Sequence, residues 1–176
     1  MFRTELQETY ELQDFVFYDP SSQENVSKYS PSYGLSLTFE DDHYTTVLSY
    51  DNWKSVRFAD NLNLTDFEIE YDVKFDGVKL SSQFATANVQ SGFELNNSFF
   101  FNFSPIDKSP FDVKYDTWYH VKATGNNGTF TVKVFENDIE VYSLSQSAVT
   151  LQFLEYRVGW ERGAKTYLKN ISVKAL

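Results

Sequence analysis

One segment of the chain alternates apolar and charged side chains without interruption. Between Phe67 and Phe75 every odd-numbered residue is apolar, and every residue between them is acidic or basic. Successive side chains of a β-strand point to opposite faces, so this pattern predicts a strand with one buried and one solvated face. The same alternation recurs along the chain, at 35–40, 118–123, 130–134, 139–141, 151–160 and 168–173. Two-faced segments of this kind must stack as sheets to bury their apolar sides, so an all-β fold is expected.

Turn signals separate the predicted strands. They include Asp76-Gly77, the stretch 125–128 and Asn137-Asp138. About ten to twelve short strands at regular spacing favour an antiparallel two-sheet β-sandwich with jelly-roll connections. The chain has only 7 Gly in 176 residues, so most turns must depend on Asn and Asp. We expect a single β-sandwich domain over 14–176, with 1–13 as an N-terminal extension or a first edge strand.

Composition excludes several classes of function. With 15 Lys+Arg against 25 Asp+Glu, the net charge of −10 repels phosphate backbones, so no nucleic-acid partner is expected. No apolar run approaches the roughly 20 residues of a membrane-spanning helix, so no membrane insertion is expected. The absence of Cys removes disulfides, thiolate zinc sites and a Cys nucleophile.

The N-terminal residues 1–13 lack the basic start and apolar stretch of a secretory signal. Two interpretations fit: an intracellular or virion protein, or a domain of a larger secreted protein. We expect an extracellular or cell-surface location as part of a larger protein, with the virion as the alternative.

Several segments together resemble a known family. They are Asp116–Lys122, Phe130–Phe135, Asn137–Tyr142, Tyr167–Val173, Phe67–Phe75, 14–19 and 33–37. Together these segments resemble the concanavalin A-like, laminin-G-like jelly rolls and are similar to noncatalytic carbohydrate-binding modules. The resemblance implies a fold and binding of a glycan or cell surface. The closing strand of that family usually carries Asp where this chain has Asn170.

Some members of the superfamily are glycoside hydrolases, so the resemblance raises the question of catalytic carboxylates. Their catalytic strand reads Glu-x-Asp-x-x-Glu, and the nearest segment here is Glu68-Ile-Glu70-Tyr-Asp72. Its final spacing is missing, because Tyr71 and Phe75 stand where the next acids would be needed. We therefore expect a solvated strand face and no enzyme, with a divergent glycoside hydrolase or lyase kept as an alternative. Both histidines, His43 and His120, are expected to be structural or surface residues.

Aromatic and basic residues in polar stretches are candidates for sugar contacts. A pyranose presents an apolar C–H face to an aromatic ring, and polar side chains at the rim orient its hydroxyls. Trp53 lies in a polar stretch and Trp160 is flanked by Gly and by both signs of charge. The candidates are Tyr44, Tyr50, Trp53, Arg57, Tyr156, Trp160 and Arg162. Aromatic rings also fill sandwich cores, so a core position remains the alternative for each ring.

Calcium is the one cofactor that the sequence suggests. The ion prefers Asp, Asn and carbonyl oxygens, and Asp14, Asp19 and Asn170 would meet if the chain ends lie together. Separately, the run Phe99–Phe103 must project rings to both faces of a strand. Either it is a central strand covered on both sides, or it contacts a neighbouring domain or a second copy of the chain.

These observations favour a noncatalytic carbohydrate- or surface-binding module of a microbial surface protein or extracellular enzyme. A structural or receptor-binding module of a phage tail or baseplate is the alternative from another class.

Overall fold

The computed structural model describes residues 15–76, 80–85, 90–94, 98–101, 113–147 and 150–176. The predicted N-terminal extension and Asp14 lie outside these residues. The described strands form two sheets, and every pairing within them is antiparallel. The predicted antiparallel sandwich is therefore confirmed. No helix in these ranges is long and apolar enough to cross a bilayer.

Eight strands form the large sheet. They are β1 (Phe15–Asp19), β2 (Leu35–Glu40), β3 (His43–Leu48), β5 (Phe67–Asp76), β9 (Tyr119–Asn126), β10 (Thr129–Glu136), β11 (Ile139–Ser147) and β13 (Lys165–Ala175). Their order is β11-β10-β9-β5-β13-β3-β2, and β1 pairs with β13 as well. The first and last described strands are therefore neighbours.

Five strands form the small sheet. They are β4 (Lys54–Ala59), β6 (Leu80–Ala85), β7 (Gln90–Glu94), β8 (Ser98–Phe101) and β12 (Leu154–Trp160), in the order β4-β12-β6-β7-β8. Most of the predicted Phe run lies in β8, which is the outermost of the described strands of this sheet. The prediction of a central strand is therefore wrong for the described part of the sheet, because β8 pairs there with β7 alone.

One core joins the two sheets. In β5 the odd-numbered residues are buried and the residues between them are partly exposed, as the alternation predicts. From the small sheet, Val56, Phe58, Tyr156 and Val158 enter the same cluster. Among its largest fully buried side chains are Tyr44, Tyr71, Tyr119, Tyr156, Phe67, Phe75, Phe130 and Leu48. Aromatic rings thus supply much of the buried apolar surface that stabilises the sandwich.

Asn and Asp supply the tight turns. Asn127 (φ 48°) and Gly128 (φ 79°) connect β9 to β10, and Asn137 (φ 49°) and Asp138 (φ 62°) connect β10 to β11. Two consecutive residues at positive φ form the two-residue turn whose twist matches an antiparallel hairpin. The one described helix, α1 (Gln23–Val26), begins after Ser22, whose hydroxyl accepts a hydrogen bond from the Asn25 N–H. Asn and Asp therefore occupy three of the four positions of these two turns, in agreement with the expected dependence on these residues.

Candidate functional site

Three connections meet at one end of the sandwich. They are residues 33–34 before β2, residues 49–53 between β3 and β4, and residues 161–164 between β12 and β13. The Ser49 N–H donates to the Gly34 carbonyl (2.8 Å), and the Gly163 N–H donates to the Leu48 carbonyl (2.7 Å). These backbone hydrogen bonds hold three chain segments, distant in sequence, in one arrangement.

A cleft of about 500 Å³ opens among these connections. Its lining consists of Tyr33, Gly34, Leu35, Ser36, Ser49, Tyr50 and Arg162. Tyr33 is 81% exposed and Tyr50 is 39% exposed, so both rings face solvent. An exposed pair of rings beside hydroxyl groups and a guanidinium can both stack on and hydrogen-bond a polar ligand.

The two tyrosines are held against each other. The Tyr50 hydroxyl donates to the Tyr33 hydroxyl at 3.0 Å, and the ring centroids lie 5.5 Å apart with a 50° tilt. This hydrogen bond raises the pKa of Tyr50, while the positive charge of Arg162 opposes the rise. A Cβ on Gly34 would lie 2.5 Å from Cδ2 of Tyr50, so a residue without a side chain is needed beneath that ring.

Trp53 lies in the same connection as Tyr50. Its side chain is 39% exposed, and its ring covers Gly159 of β12, where a Cβ would approach Cδ2 of the indole to 2.4 Å. The following residue, Lys54, places its ammonium 5.4 Å from the centroid of the Tyr50 ring. Trp53 and Tyr50 therefore flank Lys54 as partly exposed rings.

Of the predicted ligand-binding residues, Tyr50 and Trp53 lie in the connection 49–53, and Arg162 lies in the connection 161–164. Arg57 lies farther along β4, where its guanidinium pairs with Glu155 (2.9 Å) and Asp60 (2.9 Å). Trp160 is the last residue of β12 and pairs with Leu80, while its side chain lies outside the described part of the structure.

Tyr44 and Tyr156 are core residues, which corrects the prediction that they contact a ligand. Both are 0% exposed. The Tyr44 hydroxyl donates to Asp19 and the Tyr156 hydroxyl donates to Thr166 Oγ1 (2.7 Å). Their rings have no face left for a sugar, because the core packs around them.

Tyr33 is the cleft residue that sequence reasoning missed as a ligand contact. It precedes Gly34 and follows a polar stretch of serines and Pro31, just before the alternating strand β2. An aromatic residue in such a polar segment lies outside the alternating strands that form the core. The sequence therefore contains a signal that the Tyr33 ring is exposed.

The predicted calcium ligands do not converge. Asp19 is 1% exposed, and its carboxylate accepts hydrogen bonds from Tyr29, Tyr44, Asn25 and the Ser21 N–H. Asn170 lies on the outer face, where its amide donates to Asp72 at 2.8 Å. Asp14 lies outside the described residues. Within the described ranges no group of three or more His, Asp or Glu side chains is placed to hold a metal. Asp19 and Asn170 therefore do not share a calcium site, so the prediction of these two ligands is corrected, while bound calcium stays a prediction.

The acids tested for catalysis lie in an ion-pair network on the outer face of the large sheet. His120 contacts Asp72 (2.8 Å) and Glu70 (3.3 Å), and Lys122 contacts Glu68 (2.9 Å). The hydrogen bond to His120 lowers the pKa of Glu70 to about 2. A general acid in glycoside hydrolysis requires a raised carboxyl pKa, and Glu70 shows the opposite shift.

We expect a stability change at alkaline pH from the same network. Hydrogen bonds to Asp72 and then Glu70 raise the pKa of His120 from 6.5 to about 9. Because the folded pKa is raised, the stabilisation is complete below pH 6.5 and is lost as the pH rises through 9. The His120 side chain is 39% exposed, so solvent screens its ion pairs. We therefore expect the free energy of unfolding to fall by only about 1 kcal/mol when His120 loses its proton.

Urea unfolding at about pH 6 and pH 9.5 measures this loss, with His120→Gln as the comparison. In this variant the free energy of unfolding should change less with pH over that interval. An NMR titration of the His120 ring with a midpoint near its ordinary value would contradict the prediction.

Comparisons with known proteins give a consistent fold. No family model and no curated protein sequence matches the chain. A solved "Sialidase" superposes with a TM-score of 0.68 at 10% identity, over 92% of this chain and 19% of that protein. The exoplasmic/lumenal domain of VIP36, bound to Ca2+ and Man3GlcNAc, gives 0.61 at 10% identity, over 84% and 83%. Carbohydrate-binding module CBM66 from Bacillus subtilis gives 0.61 at 12% identity, over 84% and 95%.

At these identities the likeness concerns fold. The chain corresponds to about a fifth of the sialidase, so it matches one part of that protein. It matches nearly the whole length of CBM66. The strand order, the pairing of the first and last described strands and these superpositions agree with the resemblance noted in the sequence. The chain has the concanavalin A-like jelly-roll fold.

Proposed function

We propose that the chain is a noncatalytic carbohydrate-binding module that binds a glycan in the cleft between Tyr33, Tyr50 and Arg162. The observation that carries the proposal is the exposed Tyr33–Tyr50 pair, which is held by its own hydrogen bond; Trp53, also partly exposed, lies in the same connection as Tyr50. The likeness to CBM66 and to a glycan-bound VIP36 domain supports the same class of ligand.

The physical basis is the match between the cleft and a sugar ring. An apolar C–H face of a pyranose loses contact with water when it packs on an exposed aromatic ring. Ser36 and Ser49 line the cleft and can donate to or accept from sugar hydroxyls, while Arg162 can donate. A rim of this kind orients the sugar that the rings hold.

Two context proposals go with this function. The module would operate outside the cell as part of a larger surface protein or extracellular enzyme, because the glycans that such modules bind are mostly displayed there. We infer a noncatalytic role because Glu70 and Asp72 are committed to ion pairs with His120. A divergent hydrolase remains an outcome of the experiments below, and the phage tail module stays a prediction.

Glycan-array binding with aromatic variants tests the proposal. Tyr50→Ala or Trp53→Ala should lower the affinity for the most tightly bound glycan by roughly tenfold or more. Each substitution removes a ring whose burial against the sugar contributes about 1.5–3 kcal/mol to binding. Tyr18→Ala is a matched control, since Tyr18 is 45% exposed but lies on β1, away from the three connections.

Gly159→Ala gives a second variant that keeps every cleft side chain. A Cβ at this position must displace the Trp53 ring, so weaker binding is expected without loss of the indole itself. Binding unchanged in Tyr50→Ala and Trp53→Ala, or weakened equally by Tyr18→Ala, would contradict this site. Hydrolysis of a polysaccharide that is lost in Glu70→Gln would instead favour the enzyme.

A further inference from the structure

Two cations beside Tyr50 have no acidic partner in the described part of the chain. Most other basic side chains there form ion pairs, for example Arg57 and Arg157 with Glu155, and Lys122 with Glu68. Lys54 and Arg162 form none with any described carboxylate, although the chain carries a net charge of −10. An acidic protein that leaves two neighbouring cations unpaired at an open cleft offers them to a ligand.

The geometry directs both charges at the same ring. The Lys54 ammonium lies 5.4 Å from the Tyr50 centroid, and Arg162 lines the cleft. The hydrogen bond to Tyr33 raises the pKa of the Tyr50 hydroxyl, and the positive charge of Arg162 opposes that rise. The Arg162 backbone N–H donates to Asp51 Oδ1 at 2.9 Å, which fixes the connection while the guanidinium remains available.

The two acids nearest in sequence form no ion pair with Lys54 or Arg162 among the described residues. Asp51 and Glu161 lie in the same connections, and Asp51 is directed at the Arg162 backbone. The remaining negative charges of the chain are screened beyond about 8 Å at physiological salt. An anion that enters the cleft can therefore pair directly with the Arg162 guanidinium, while the more distant negative charges oppose it only weakly.

We propose that the glycan bound in this cleft carries a carboxylate, as uronic-acid-type sugars do. The inference rests on the proposed function and adds the ligand class. The Arg162 guanidinium would pair with the sugar carboxylate through two parallel hydrogen bonds, a geometry that suits carboxylates, and Lys54 would add a second positive charge. Tyr33 and Tyr50 would pack on the sugar ring next to that carboxylate.

The test uses an array of carboxylated glycans beside their carboxyl-reduced counterparts, with sulfated and neutral glycans included. Wild-type protein should bind carboxylated members roughly 10- to 100-fold more tightly than the reduced forms. Arg162→Gln should lose that preference while keeping the weak binding of the reduced forms, and Arg162→Lys should keep part of it.

Lys165→Gln is the charge-matched control. Lys165 is an exposed cation at the start of β13, outside the cleft lining, so its replacement should leave the preference within about twofold. Thermal unfolding of each variant checks that the fold is intact, and an exposed side chain without a partner should change it little.

The outcomes separate the two proposals. Equal binding of carboxylated and reduced glycans, unaffected by Arg162→Gln but weakened by Tyr50→Ala, overturns the carboxylate and retains the carbohydrate-binding module. Binding of sulfated glycans alone overturns the carboxylate as well. If wild-type protein binds no member of the array, both proposals fail.

Discussion

Replacement of Asp19 by alanine is expected to lower the free energy of unfolding by about 3–5 kcal/mol. The Asp19 side chain is buried, and both carboxylate oxygens accept the Tyr44 hydroxyl, at 2.9 Å and 2.8 Å. The carboxylate also accepts the Tyr29 hydroxyl, the Ser21 N–H (2.7 Å) and the Asn25 amide (3.0 Å). Alanine would leave the fully buried Tyr44 hydroxyl and the three part-buried donors without this acceptor.

Urea-induced unfolding measures the effect, and two milder variants keep it interpretable if Asp19→Ala does not fold. Tyr29→Phe removes one donor and should cost about 1 kcal/mol. Asp60→Ala removes an exposed carboxylate from a surface ion pair and should change the free energy by less than about 0.5 kcal/mol. Unfolding of Asp19→Ala within 1 kcal/mol of wild type would show that this polar cluster contributes little.

The hydrogen bonds of Asp19 connect segments that are distant in the sequence. Asp19 ends β1, and its partners Ser21, Asn25 and Tyr29 lie in or beside α1. Tyr44 belongs to β3, so the carboxylate connects a segment of irregular backbone to the core of the large sheet. No described cation pairs with Asp19, and the cost of burying its carboxylate is offset by hydrogen bonds from four donors, two of them on tyrosine rings that the core packs.

The alternating strands could be predicted because burial of one face is encoded locally. In β5 each apolar residue is buried and each charged neighbour is partly exposed, so the period of two alone identifies the strand. Tyr44 and Tyr156 were misassigned because their part of the core is partly polar. Thr46 and Thr166 are both 0% exposed and hydrogen-bond each other at 2.6 Å, which hides the alternation of β3.

The side-chain directions of the suggested calcium ligands could not be predicted from the sequence. The condition set for that site, that the first and last strands lie together, holds for the described residues, since Asp19 pairs opposite Ile171. The register of β13 against β5 shifts between Lys169 and Ser172, and Asn170 has φ 53°. A shift of one residue reverses the faces of a strand, so Asn170 points outward while Asp19 points inward.

Assembly of the cleft also depends on tertiary structure. Tyr50, Trp53 and Arg162 could be identified as candidates because each stands in a polar stretch. The placement of Tyr50 and Arg162 beside Tyr33 results from backbone hydrogen bonds among three connections distant in sequence, which no local pattern encodes.

Gly125 shows how a tertiary contact decides a local structure. The stretch 125–128 was predicted as a turn, but β9 continues to Asn126 and the turn contains only Asn127 and Gly128. Gly125 pairs directly opposite Phe67, and a Cβ on it would lie 2.5 Å from Cε1 of that ring. The phenyl ring therefore occupies the space where a residue 125 side chain would project.

Phe67→Ala is expected to lower the free energy of unfolding by about 3–5 kcal/mol, because Phe67 is 0% exposed and its ring packs 5.9 Å from that of Phe130. Gly125→Ala alone should cost about 1–3 kcal/mol, since its methyl group collides with the phenyl ring. In the Phe67→Ala background the collision is absent, so the same Gly125→Ala change should cost little.

A double-mutant cycle measured by urea unfolding checks this coupling, which should reach about 1–2 kcal/mol. Gly128→Ala is the control: its Cβ would meet nothing within 4 Å, but its φ of 79° disfavours a side chain. Its cost should therefore be about 1 kcal/mol with or without Phe67. Additive costs for Phe67→Ala and Gly125→Ala would show that the ring does not determine the need for glycine at 125. Coupling of Phe67→Ala to Gly125→Ala, but not to Gly128→Ala, would show that packing of the Phe67 ring across the strands is the reason why position 125 requires glycine.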